Sequence, residues 1–137
     1  MAIADDSLNF YGFDLYFDPD QLDLFNAVGR DFKVIGGKGN LAQALKARLE
    51  TLKGEILLHP TYGSSLPTLI GEPNDETTRN MAVTMFVETM NEENRVSAVN
   101  SVSVEFDQKT RNIVRLSASI VPRNAVNQAD LQYDFFL

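Results

Sequence analysis

Cysteine is absent from this 137-residue chain. That excludes a disulfide scaffold, a thiolate metal site and a cysteine nucleophile, and with them thiol redox chemistry. Histidine occurs once, as His59 between Leu58 and Pro60. With no cysteine and no second histidine, a transition-metal site would have to be completed by carboxylates alone. His59 therefore reads as a turn residue, and no metal or other cofactor is expected. No segment approaches the roughly 18 uninterrupted apolar residues of a membrane span, and the opening MAIADDSLNF lacks the basic stretch and apolar run of a signal peptide. The expectation is a protein made soluble, without membrane insertion. Basic charge is in deficit, 12 Lys and Arg against 19 Asp and Glu for a net −7. An acidic total argues against duplex nucleic acid, whose binding relies on many cations neutralising phosphates. Gly36-Gly37-Lys38-Gly39 lacks the full Walker spacing and the Ser or Thr after its lysine, so it reads as a turn.

What is present suffices for one domain. A chain of this length buries about 68–70% of the surface its unfolded form exposes, so neither disulfide nor metal is required. Charge segregates along it: residues 1–31 hold seven acidic groups against Arg30 alone, whereas residues 32–60 hold five basic groups against Glu50 and Glu55. The basic stretch suits either an acidic protein surface or an ordinary solvated helix face. Residues 1–31 form an extended N-terminal segment in this reading, and residues 32–137 an α+β domain. Within the first 37 residues Leu8, Phe10, Phe13 to Phe17 and Asp31 to Ile35 read as weak strands, broken at Asp18-Pro19-Asp20 and ended by Gly36-Gly37. They serve equally as an arm laid on a neighbour or as a hairpin covering their own domain.

From Asn40 the period becomes helical. Leu41, Leu45, Leu49 and Leu52 share one stripe, Asn40 can cap its start and Gly54 can end it in the left-handed conformation, predicting a helix over 41–53 with the stripe as core. Next comes the densest turn chemistry in the chain, GEILLHPTYGSSLPTLIGEP over residues 54–73. Glu55 to Leu58 reads as a short extended run stopped by Pro60. Tyr62-Gly63 supplies a turn, Ser65 caps a brief helix through Ile70, and Gly71 with Pro73 ends it. A second helix is capped by Asn74 or Asp75, has Met81, Ala82, Met85, Phe86 and Met90 on one side, and ends near Met90 to Asn94. Val102, Val104 and Phe106, a polar turn over 107–112, and Val114, Leu116, Ala118 and Ile120 predict an antiparallel hairpin that stops at Pro122. A third strand carries Leu131, Tyr133, Phe135 and Leu137. The fold class expected is therefore α+β, two main helices packed on a small antiparallel sheet.

The run NLAQALKARLETLKGEILLHPTYGSSLPTLIGEP, followed by a helix and by Glu93-Asn94-Arg95 leading into a strand, resembles the baseplate wedge and sheath-initiator family of contractile tails. That family includes the lysozyme-like tail proteins and the related baseplate component of type VI secretion systems. The resemblance covers residues 32–121, with Gly54, Glu55, Pro60, Tyr62, Gly63 and Ser64 as its signature turn. It departs at one place. Where the family carries Glu-Pro-Arg, Asn94 replaces the proline, so the turn rests on a residue that tolerates left-handed backbone rather than on one that fixes φ.

The resemblance implies a non-catalytic virion part of the tail baseplate, synthesised in the host cytoplasm. About six copies would surround the tail tube, as in a cyclic assembly. Its partners would be other baseplate wedge proteins, the tail sheath subunit, and tube or hub proteins. Two features fit such a role. The last strand can add to a partner's sheet by β-augmentation, with Leu131, Tyr133, Phe135 and Leu137 facing pockets, or it can complete its own sheet and leave the final two or three residues outside. Arg95 can pair with a carboxylate on a neighbouring protein, or with Glu92 or Glu93 at the end of its own helix. Two other roles stand beside this one. One is a tail-assembly factor absent from the mature particle. The other is a peptidoglycan hydrolase using two of Glu55, Glu72 and Glu93, although nothing in their spacing selects a pair. No serine–histidine–acid arrangement is present, because Ser65 is accounted for as a cap.

Overall fold

A computed structural model gives the architecture. It describes residues 11–18, 23–24, 26–27, 31–106, 109, 112–123 and 127–137. The expected strand residues Leu8 and Phe10, the Pro19-Asp20 break, Arg30 and most of the 107–112 turn lie outside the described residues. The chain falls into two compact units, Met1–Ala44 and Leu45–Leu137.

Among the described residues the first unit holds six short strands, β1 (Phe13–Leu15), β2 (Phe17–Asp18), β3 (Asp23–Leu24), β4 (Asn26–Ala27), β5 (Asp31–Phe32) and β6 (Val34–Gly36), and the start of helix α1 (Gly37–Glu50). The strands pair antiparallel in three ladders, β1 with β6, β2 with β3 and β4 with β5. Helix α1 begins and ends earlier than the 41–53 expected from its leucine stripe, and Asn40 lies inside it instead of capping it. The cause is tertiary. Asn40 is buried and its Nδ2 donates to the Tyr11 carbonyl (2.8 Å), so the side chain is not available to a helix terminus. The glycines form the strand-to-helix junction instead of a free turn. Gly37 has φ +61°, and a Cβ on Gly39 would sit 3.1 Å from Ile35 Cδ1. One turn on, the Gln43 amide accepts from Phe17 N–H (3.1 Å) and donates to the Leu15 carbonyl (2.8 Å), taking up backbone groups that β1 and β2 would otherwise leave unpaired.

The second unit carries the rest of α1, a 3-10 turn (Leu66–Leu69), helix α2 (Glu76–Glu92) and strands β7 (Val96–Phe106), β8 (Ile113–Pro122) and β9 (Ala129–Phe136). Leu45 and Leu49 are buried as the stripe requires, but α1 stops at Glu50 and Leu52 is exposed. Helix α2 matches its expected span. Asp75 caps it by accepting from Thr78 N–H (2.8 Å). Its buried face is Thr78, Ala82, Phe86, Thr89 and Met90; of the three methionines only Met90 is fully inside, while Met81 is exposed.

The three long strands form one antiparallel sheet in the order β7-β8-β9, and α2 packs along β7. Strand alternation separates two faces. Val114, Leu116, Ala118 and Ile120 of β8 and Leu131 and Phe135 of β9 are buried on the core face. The opposite face carries the rows Glu105–Arg115–Asp134, Ser103–Ser117–Gln132 and Ser101–Ser119–Asp130. Each fully buried Val, Leu, Ile or Phe side chain of this core contributes about 1.5–3 kcal/mol over its exposed state. The fold is α+β.

Candidate functional site

The signature turn is a compact bracket beside the end of α1, not the extended run expected over Glu55–Leu58. Gly54 turns at φ +87°. Glu55 folds back, its N–H donating to the Leu52 carbonyl (3.0 Å) and its Oε2 accepting from Leu52 N–H (3.0 Å). Further turn bonds run from His59 N–H to the Ile56 carbonyl and from Tyr62 N–H to the His59 carbonyl. These bonds use the backbone groups a strand would need. Ile56, Leu57 and Leu58 consequently point outward, the last two 92% and 87% exposed, and Pro60 is exposed beside them.

The bracket closes on its other side. Gly63 has φ +120° and passes so close to the chain just after α1 that a Cβ there would lie 2.5 Å from the Thr51 carbonyl oxygen. Ser64 N–H donates to that same oxygen (2.7 Å), making a parallel bridge between Leu52 and Ser64. Ser64 is wholly buried, and its Oγ accepts from Thr89 Oγ1 (3.0 Å) on α2 and from Leu66 N–H (3.1 Å). Ser64, and not the expected Ser65, thus meets the 3-10 turn, since Ser65 makes no side-chain cap bond.

Glu93 and Arg95 meet at the end of α2. The Arg95 Nε donates to Glu93 Oε1 (2.9 Å), and the Arg48 Nη2, reaching from α1, donates to Oε2 (3.3 Å). Glu93 is buried, only 7% exposed. Burial pushes its carboxyl pKa up, but the hydrogen bond and charge of Arg95, with the charge of Arg48, outweigh that and hold it below the ordinary glutamate value. The Arg48 guanidinium also lies over the Tyr62 ring, 4.6 Å from its centroid. Lys53 and Glu92 form a second, more exposed pair alongside. One arginine therefore connects α1, the signature turn and the end of α2. Arg48 had no signal in the sequence, because its contact with Glu93 spans 45 residues, and Leu57 and Leu58 were read as part of an extended run, not as exposed turn residues. The other carboxylates considered lie apart in role: Glu55 is tied to Leu52, and Glu72 is exposed in the turn after the 3-10 segment.

The last strand completes the chain's own sheet through an unbroken register with β8, from Ile113 opposite Phe136 to Ile120 opposite Ala129. Leu131 and Phe135 are buried, while Tyr133 and Leu137 are half-buried. Burial, with the negative charge of Glu50, pushes the Tyr133 hydroxyl up to about 12. Leu137 N–H donates to the Asn112 carbonyl (2.8 Å), which sets the phase of the ladder. Odd-numbered residues of β9 bond to β8, and the backbone N–H and C=O groups of Asp130, Gln132, Asp134 and Phe136 face the other way. Among the described residues no strand lies beyond them.

A family model described as contractile injection system sheath initiator matches residues 13–121. The chain belongs to the sheath initiator family. A sheath initiator is a structural and assembly component of a contractile tail, placed at its baseplate and working with sheath and baseplate proteins. The match begins at residue 13, earlier than the residue 32 at which the sequence resemblance starts, and so takes in the first unit's strands. None of the curated proteins compared with this sheath initiator matches it. Among solved structures, a candidate tail lysozyme from Geobacter sulfurreducens is similar with a TM-score of 0.64 at 19% identity, over 73% of this chain and 90% of that one. At that identity the likeness is one of fold.

Proposed function

We propose that this sheath initiator is a wedge component of the baseplate that templates the first sheath ring by accepting a sheath strand along the free edge of β9. About six copies surround the tail tube, each held by adjoining wedge proteins, and the sheath subunits start their lattice on the edges these copies present. The signature turn serves the wedge contacts. Its braced backbone displays Leu57 and Leu58, while Glu93 and Arg95 act from inside by fixing that turn to the helix ends.

The observation that carries the reading is the difference between the two sheet edges. Strand β7 is irregular at two places, between Val96 and Ala98 and between Val99 and Ser101, and such bulges blunt an edge against pairing. Strand β9 has no register shift and leaves alternate backbone groups outward, the form that β-augmentation requires. Peptidoglycan hydrolysis calls for two carboxyls, one of them an acid held above its ordinary pKa; Glu93 is shifted the opposite way, so it does not suit the acid's part, and both its oxygens are taken up by Arg95 and Arg48.

The test is Gln132→Pro. The Gln132 N–H faces the free edge, so its removal costs the chain no ladder bond of its own. An incoming strand loses one hydrogen bond, about 0.5–1.5 kcal/mol, and meets the pyrrolidine ring. The expected result is an unchanged circular dichroism spectrum together with tails on which sheath no longer polymerises; Asp130→Pro serves as a second edge variant. Normal sheath on tails carrying either folded variant rules out β9 as the template.

A further inference from the structure

The rows of the β7-β8-β9 sheet specify more than an open edge. A strand laid beyond β9 adds one residue to each row, alternately on the core face and on the outer face. On the core face it comes beside Leu131 and Tyr133, which continue the rows Val102–Ala118–Leu131 and Val104–Leu116–Tyr133. On the outer face it comes beside Asp130, Gln132 and Asp134, all exposed.

Charge along the outer rows is ordered. Glu105, Arg115 and Asp134 alternate in sign across three strands, with Arg115 Nε and Nη2 donating to the two Asp134 oxygens (2.9 and 3.3 Å). The next place in that row favours a cation, and a carboxylate with two oxygens retains acceptor capacity on its outer side. Asp130 lies opposite Ser119, whose hydroxyl donates to Gln128 Oε1. Among the described residues Asp130 has no ion-pair partner. Asp130 thus leaves unpaired negative charge at the boundary an incoming strand must share, while Asp134, paired with Arg115 and also under the charge of Lys46, brings an ionised carboxylate to it.

We infer that the β9 edge selects an extended partner segment of the pattern cation, apolar, polar, apolar, cation, with the cations beside Asp130 and Asp134 and the apolar residues beside Leu131 and Tyr133. The pattern reads the same in both directions, so it holds for parallel and antiparallel addition. It rests on the edge being the docking surface and adds the chemistry of the occupant. It also makes docking salt-dependent, since exposed pairs are screened.

The experiment uses the full chain, a peptide built on Lys-Val-Thr-Val-Lys and a counterpart of equal length built on Glu-Val-Thr-Val-Glu, with amide hydrogen exchange followed residue by residue. The lysine peptide is expected to slow exchange at Asp130, Gln132, Asp134 and Phe136, whose N–H groups are free in the isolated chain. Exchange at Leu131, Tyr133 and Phe135, already bonded to β8, should change little. Two cross-strand pairs with reversed sign give a preference for lysine over glutamate of roughly tenfold, and a double variant, Asp130→Lys with Asp134→Lys, should invert it. Equal binding of both peptides with protection at the same four amides overturns the charge selection while leaving the edge as the docking surface. Protection at the four amides by neither peptide overturns the edge reading itself, as does a lysine preference unaccompanied by that protection.

Discussion

Glu93 loses most of its water on folding, and it stays ionised because two guanidiniums accompany it. Removing the charge leaves Arg48 facing a neutral amide in a partly buried position. Glu93→Gln is therefore expected to lower stability by about 1.5–3 kcal/mol, the range for a hydrogen bond to a charged group, measured as a shift in the urea midpoint at neutral pH. The pH dependence has a definite sign. The folded carboxyl titrates below the ordinary value of 4.5, so the unfolded chain binds the proton more readily. The contribution is then complete above that value and disappears as pH falls through the lower folded one. The midpoint difference between wild type and Glu93→Gln should shrink steadily below about pH 4.5. A difference that stays constant down to full protonation would mean that the glutamate acts by shape and not by charge. This contact was half legible. The sequence offered Glu93 as one partner for Arg95, but Arg48 lay too far along the chain for any local pattern to connect it.

Elements whose signals are local came out of the sequence nearly whole. Helix α2 has its cap at Asp75, and β8 and β9 follow from alternation, because the deciding contacts are with chain neighbours or with a sheet partner of the same period, whereas β7 starts at Val96, ahead of the alternation that begins at Val102, because two register shifts break its period. Helix α1 was displaced because Asn40 has a distant backbone partner, and the 55–58 run was misread because Glu55 caps the turn before it. Tertiary contacts override propensity at such places. The same bracket makes a contrast between two glycines. Gly54 and Gly63 both have positive φ, but a Cβ at Gly54 meets nothing within 4 Å, whereas one at Gly63 runs into the Thr51 carbonyl at 2.5 Å. Gly54→Ala should cost about 1 kcal/mol from backbone strain alone, and Gly63→Ala about 3 kcal/mol or more, compared by thermal unfolding of the two variants. Equal costs would show that the turn does not bear on α1 as closely as the backbone distance requires.

At the scale of the whole molecule, charge bears on how copies are arranged. Each chain carries a net −7, so copies brought together around a tube repel one another unless other proteins stand between them. That favours a ring in which wedge neighbours separate and hold the sheath initiators over one in which the copies touch directly. The order helix, bracket, helix, hairpin was enough for the sequence to indicate the family, because that order is carried by turn residues. The last strand was offered both as an augmenting strand and as part of its own sheet, and only the register shows that it pairs with β8 while β7 carries the bulges. The proposed ring template needs one initiator for each sheath subunit in the first ring and none further along the tail. Quantitative mass spectrometry of purified particles, scaled to tube and sheath subunits, should therefore give about six copies per particle. That number should hold whatever the tail length and survive stripping of the sheath. A copy number that rises with tail length would make the chain a lattice subunit, and absence from finished particles would make it an assembly factor that leaves before the tail is complete.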